Sequence, residues 1–247
     1  MKPRFLLLAA SITGCSGKDD CAAGAASPSG ADPVSIPTED GICLVADHYR
    51  GDAGAPAVVF LHMTPLSWNR KSWSADFMRD VFTQGWTVLN LDRRGAGDSE
   101  GTPTEAFEGD GGSKDVRAAF DYLGEQGVGP ISVVGASNGT TSALDYAVLS
   151  AAQGLVEPVS IVMMSPGTYT ENQHEMDRLA DQNTPTLFQY DPAEGLWIAD
   201  SFDDLDPGSW EQQPYDGAGH GSQMLDENTV VGADIITFLD AHWPQLP

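Results

Sequence analysis

Apolar residues along this 247-residue chain recur in two patterns. Short unbroken runs at 57–61 (A-V-V-F-L), 86–91, 131–134, 159–164 and 186–190 are strand-length, and the first reads as a strand covered on both faces. An alternating stretch at 42–49 follows the turn signal Asp40-Gly41 and predicts another strand, as does a short run at 211–215. Between these runs the apolar residues fall three or four apart. Trp73, Phe77 and Val81 mark a helix over 72–84, and Val116, Phe120 and Leu123 mark one over 114–125 capped by Ser113. Further helices are expected after Gly139 through Leu149, around 172–181, over 193–202 and over 229–243. Strands alternating with helices imply an α/β class: a mostly parallel sheet with helices on both faces. No internal repeat and no second core is evident, so 33–247 reads as one domain.

One junction carries chemistry. Residues 131–141 read I-S-V-V-G-A-S-N-G-T-T, which is G-x-S-x-G between a predicted strand and a predicted helix. A nucleophilic serine must stand clear of a sheet on a sharp turn, and neighbours without a Cβ relieve the crowding that such a turn creates. The turn would also aim the Asn138 amide, at a helix N-terminus, toward developing negative charge. A plain glycine-rich turn in an open sheet is the alternative.

The N-terminus has another character. Met1–Arg4 carries two cations, and residues 5–12 are mainly apolar but too short to span a bilayer. Ile12-Thr13-Gly14-Cys15 follows and resembles a bacterial lipobox, which implies a signal peptide over 1–14, cleavage before Cys15 and lipid on that cysteine. Residues 15–32, rich in Ala, Gly, Ser and Asp, then read as a flexible tether. Ser16 after the cysteine favours the outer over the inner membrane of a cell envelope. Cys21 and Cys43 remain as two thiols in an oxidising compartment; a disulfide between them would pin the tether, and a buried free Cys43 is the alternative. Charge narrows the partners. Thirty-six acidic against twelve basic residues give −24, which argues against nucleic acid.

Four signals in order give the chain from about Val34 to Trp243 a resemblance to the α/β-hydrolases. His62 at a strand end resembles the start of the family's His-Gly-x-Pro segment. Asp92–Ser99 resembles its D-x-R-G-x-G-x-S loop, Gly135–Gly139 its nucleophile elbow, and Gly217-Ala218-Gly219-His220-Gly221 its G-x-G-H-G loop. The resemblance implies an α/β-hydrolase fold with Ser137 as nucleophile and His220 as base. Counting from Pro185, the family's acid falls on Glu194, with Asp191 at the strand end as the alternative. The implied oxyanion hole uses the amide of Asn138 and one from Thr64 or Met63. Met63 stands where the family usually has glycine, so either it takes an ordinary backbone conformation or the hole is built differently. His62 would brace that loop, and Asp92, Arg94 and Ser99 would be structural.

The roughly twenty residues between the strands expected at 159–164 and 186–190 leave no room for a lid domain. An open site is implied, as in small esterases and dienelactone-hydrolase-like enzymes. Met63, Leu66, Trp68, Phe107, Tyr169 and Trp197 are candidate lining residues. Neither a metal cluster nor a nucleotide fingerprint occurs, so no cofactor is expected. The resulting expectation is an exported, lipid-anchored serine hydrolase acting on a small-molecule carboxylic ester. An amide or peptide hydrolase on the same triad, an inactive binding protein on this fold, and an interaction protein using the acidic face are the rivals. Oligomeric state is not legible.

Overall fold

A computed structural model describes residues 30–64, 67–106, 109–167, 176–194 and 205–244. The expected leader, lipid-bearing Cys15 and tether cysteine Cys21 lie outside the described residues, as do Leu66, Phe107, Tyr169, His174 and Trp197.

Among the described residues eight strands occur: β1 (Asp32–Pro37), β2 (Cys43–Tyr49), β3 (Ala57–Leu61), β4 (Thr87–Asp92), β5 (Ile131–Ala136), β6 (Ile161–Met164), β7 (Thr186–Tyr190) and β8 (Trp210–Pro214). They form one sheet in the order β1-β2-β4-β3-β5-β6-β7-β8. The pairs β1–β2 and β2–β4 are antiparallel, and every pairing from β4 through β8 is parallel. This is the expected α/β class. One strand was not anticipated. β1 carries Pro33 and Pro37, which weaken a strand signal but suit an edge strand, where a missing N–H can face away from the ladder.

Helices α1 (Ala75–Phe82), α2 (Gly111–Glu125), α3 (Gly139–Gln153), α4 (Met176–Gln182), α5 (Met224–Glu227) and α6 (Thr229–His242) cover the sheet. Side chains alternate along β3: Val59 and Leu61 join the core beneath α2, α3 and α4, whereas Val58 and Phe60 join the core beneath α1 and α6. All five β3 residues are fully buried, as a strand covered on both sides requires. Several boundaries differ from expectation, two of them for a visible local reason. The first helix begins at Ala75, because a separate 3-10 turn capped by Asn69 occupies Arg70–Ser72. Helix α2 begins at Gly111 with Asp110 as its cap residue, and Ser113 sits inside, bonding back to the Asp110 carbonyl at 2.8 Å.

Register decides where the loops emerge. Leu61 lies beside Gly135, Ala136 beside Met164, and Met164 beside Gln189. The C-terminal ends of β3, β5, β6 and β7 are therefore abreast at one edge of the sheet, where ligands of open α/β sheets bind. Only residues 165–185 separate β6 from β7, and no lid is present among the described residues. Among those residues, too, no helix is long and apolar enough to cross a membrane.

Candidate active site

Ser137 sits between β5 and α3 with φ +48°. A non-glycine residue there is strained by about 1–3 kcal/mol and persists only where its surroundings enforce it. Here the Ser137 N–H donates to the Met164 carbonyl at 2.7 Å, and its own carbonyl accepts from the Thr140 N–H at 2.9 Å and the Thr140 hydroxyl at 2.6 Å. The flanking glycines have a packing reason. A Cβ on Gly135 would lie 2.7 Å from the Gly139 carbonyl oxygen, and one on Gly139 would lie 2.3 Å from that of Leu61. Helix and strand could not approach so closely with any larger residue at either position.

His220 comes from the loop after β8. Its Nε2 lies 2.7 Å from Ser137 Oγ, and its Nδ1 meets Glu194 Oε1. Glu194 ends a 3-10 turn, Pro192–Glu194, that continues from β7. Serine, histidine and glutamate thus form one hydrogen-bonded line built from three separate strand ends. Ser137 is buried, while the His220 side chain is 37 % exposed, so the serine forms a floor and the imidazole stands at the rim.

Asp191 does something else. Its carboxylate accepts from the Ala193 N–H at 3.0 Å and the Gly219 N–H at 3.2 Å. Those bonds hold its pKa below the ordinary carboxylate value, and they tie the loop before His220 to the turn that carries Glu194.

The loop after β3 is held from behind by His62 and Arg93. His62 Nε2 accepts from the Arg93 N–H at 3.0 Å, which leaves Nδ1–H to donate to the Met63 carbonyl at 2.8 Å. Burial, followed by the nearby Arg93 charge, pushes the His62 pKa down to about 3, so the ring is neutral with a fixed tautomer. In a trans peptide the C=O and N–H point in opposite directions. With the Met63 carbonyl turned to His62, the Thr64 N–H points away from that ring. Met63 itself is not among the residues with left-handed backbone, so it takes an ordinary conformation. It is buried, and a Cβ on Gly221 would meet its sulfur at 2.7 Å, which places the thioether directly under the loop that bears His220. Asn138, at the N-cap of α3, has helical backbone (φ −56°, ψ −21°).

The Asp92–Ser99 segment is anchored at both ends. Ser99 Oγ donates to the Asp92 carbonyl at 2.6 Å and accepts from the Val45 N–H at 2.8 Å; Arg94 pairs with Asp115 at 2.7 Å and Asp40 at 2.9 Å. Trp68 is half-buried against the core beneath α1 and α6. His48 is buried in β2 and bonds Tyr122 at 2.8 Å, and His242 bonds its own helix at the Phe238 carbonyl.

Three residues of this region were not anticipated. Arg93, fully enclosed, donates to the His62 carbonyl, the Ala106 carbonyl and Ser142 Oγ at 2.8–3.0 Å. Arg70 gathers Asp47, Asp92 and Asp98. Ser165, after β6, accepts from the Gly221 N–H at 2.8 Å. Two adjacent arginines at a strand end were a signal for the first; nothing in spacing or composition marks the other two. Cys43 is disulfide-bonded, with its partner outside the described residues. Among the described residues no cluster of three His, Cys, Asp or Glu is placed to hold a metal.

Residues 69–190 match the family described as serine aminopeptidase, S33; the match takes in Ser137 and stops short of Glu194 and His220. Among solved structures, an esterase of Pyrococcus furiosus superposes with a TM-score of 0.68 at 17 % identity, covering 91 % of this chain and 97 % of its own. A serine hydrolase of Xanthomonas campestris, described as lacking a lid, has a TM-score of 0.65 at 14 % identity, covering 91 % of this chain and 100 % of its own. An esterase from a Rhodococcus species has a TM-score of 0.63 at 16 % identity, covering 85 % and 99 %. No protein of curated function matches the chain. The fold is that of the α/β-hydrolases, and within it residues 69–190 match a serine aminopeptidase family.

Proposed function

We propose that this chain hydrolyses carboxylic esters through Ser137, His220 and Glu194, by way of an acyl-enzyme. The observation that carries the reading is the continuous line from Ser137 Oγ to His220 Nε2 at 2.7 Å and from His220 Nδ1 to Glu194. A serine hydroxyl is a weak nucleophile until a base accepts its proton during attack. His220 takes that proton, Glu194 holds the imidazole in the tautomer with Nδ1–H and stabilises the imidazolium, and Oγ bonds to the ester carbon. The carbonyl oxygen becomes an oxyanion that receives the N–H of Asn138 and the N–H of Thr64. The His62–Met63 bond supports Thr64 over Met63 as second donor, since it turns the Thr64 N–H away from His62. On collapse, His220 gives its proton to the leaving alkoxide. Water then attacks the acyl carbon with His220 as base, releasing acid and Ser137.

Asp191 is the weaker choice of acid because both its oxygens are engaged by backbone N–H groups. The short segment between β6 and β7 favours small, freely entering substrates over those needing a roof. We further propose that the chain is exported and lipid-anchored through Cys15, and that Cys21 is the partner of Cys43. Its disulfide-bonded state fits an oxidising compartment.

The test is covalent labelling of the full chain by a fluorophosphonate, followed by turnover of matched p-nitrophenyl esters and p-nitroanilides. Wild type should label and prefer the ester. Ser137→Ala and His220→Ala should abolish both signals, and Glu194→Ala should lose about a hundred-fold or more in kcat, while Asp191→Asn loses less. A folded wild type that does not label would overturn the reading, and a preference for the anilide would move it to amide hydrolysis.

A further inference from the structure

Glycine takes the left-handed backbone region at fourteen of the described positions; apart from Asn183, only two serines join it, Ser137 and Ser165. Ser165 has φ +47° and is fully buried. Glycine would adopt that conformation without strain, so the fold is not what asks for a serine here. Its hydroxyl has a use. The Gly221 N–H donates to Ser165 Oγ at 2.8 Å, and the Ser165 hydroxyl donates to Met224 Sδ with Oγ 3.5 Å from the sulfur, which leaves an oxygen lone pair for the amide. Gly221 directly follows His220.

The residue before Ser165 holds the other partner. Met164 accepts the Ser137 N–H at 2.7 Å. Two consecutive residues at the end of β6 therefore grip the nucleophile's backbone and the backbone of the imidazole loop. Ser165 is itself fixed to β7, its N–H donating to the Gln189 carbonyl at 2.7 Å. On the far side of His220 the Gly219 N–H is taken by Asp191 at 3.2 Å. His220 is flanked by glycines at φ +83° and +55°, the most permissive backbone available. The 3-10 turn that follows holds the His220 carbonyl through the Gln223 N–H at 3.1 Å, and the ties at Gly219 and Gly221 fix the amides on either side of it.

We propose that Ser165 is a positioning residue, which through the Gly221 amide sets His220 at hydrogen-bonding distance from Ser137. The inference rests on the reading of Ser137 and His220 as nucleophile and base. Displacement of a reacting group by about 1 Å can cost on the order of a hundred-fold in rate.

The experiment compares Ser165→Gly and Ser165→Ala with wild type in the full chain. Three quantities are followed: the thermal midpoint, kcat and KM on a p-nitrophenyl ester, and hydrogen exchange at the Gly221 amide. Ser165→Gly relieves the backbone and removes the acceptor. It should fold at least as stably as wild type, lose about ten- to a hundred-fold in kcat with little change in KM, and exchange the Gly221 amide faster. Ser165→Ala should share the kinetic loss. Wild-type kcat in Ser165→Gly, or unchanged exchange at Gly221, would overturn the inference. If wild type itself neither labels nor turns over, the hydrolase reading fails, and the tie is then judged by Gly221 exchange alone: faster exchange in Ser165→Gly supports it and unchanged exchange refutes it.

Discussion

His62 shows how much one buried side chain can fix. Its ring stays neutral because burial and Arg93 disfavour the cation, and neutrality lets it accept at Nε2 and donate at Nδ1. The same arrangement makes stability depend on pH. Its pKa is about 3 in the folded chain against an ordinary 6.5. The unfolded chain therefore binds the extra proton first, and stability present above pH 6.5 drains away as pH falls toward 3. Between pH 7.5 and 5 the loss from this residue should be about 2 kcal/mol. Urea unfolding at both pH values should show His62→Gln losing correspondingly less over that interval than wild type. An equal loss in both proteins would show that other groups carry the acid sensitivity. Met63 belongs at this scale too. The departure from glycine is absorbed without backbone strain, and its sulfur fills the space beneath Gly221.

Elements are locked together through a few buried charges. Arg70 lies in the 3-10 turn before α1. Its N–H donates to Asp92 at 2.7 Å, its carbonyl accepts from Asn90 at 2.6 Å, and its guanidinium reaches Asp47 at 3.1 Å, Asp98 at 2.9 Å, and Asp92. One side chain thereby joins β2, the end of β4 and the loop beyond it to the start of α1. Removing one member of a buried ionic group strands the others, at a cost of about 3–5 kcal/mol. Arg70→Met should lower unfolding stability by that amount. A loss under about 1 kcal/mol would mean that water reaches the abandoned carboxylates. The position of Arg70 before a short helix gives no sequence signal of this role, because its partners are 20 to 28 residues away along the chain.

The whole molecule carries a large negative excess. Arg50, Arg70, Arg79, Arg94, Lys114 and Arg117 lie against carboxylates, yet the net charge is −24, so many acids repel one another across the surface. The Debye length is about 30 Å at 0.01 M salt and about 10 Å at 0.1 M. Raising sodium chloride from 10 mM to 0.3 M should therefore raise the thermal midpoint by a few degrees; a fall would show that exposed ion pairs outweigh the repulsion. At this scale the sequence by itself determined the α/β class and the succession of strands and helices along the chain, since unbroken apolar runs and helical spacing report burial directly, whereas the order of the strands in the sheet was decided by the tertiary structure. The sequence also determined the elbow, because crowding at a tight turn demands glycine at fixed offsets from Ser137. Edge strand β1 escaped it, since prolines hide a strand whose pairing needs only one side. Local spacing likewise could not say which carboxylate, Glu194 or Asp191, faces His220. Both follow β7 within a few residues, and only the tertiary structure, by bringing the β8 loop across, turned the Glu194 carboxylate to His220 and the Asp191 carboxylate to backbone amides. The ties made by Ser165, Arg93 and Arg70 were decided there as well, because a hydrogen bond between residues remote in sequence leaves no period in the chain that makes it.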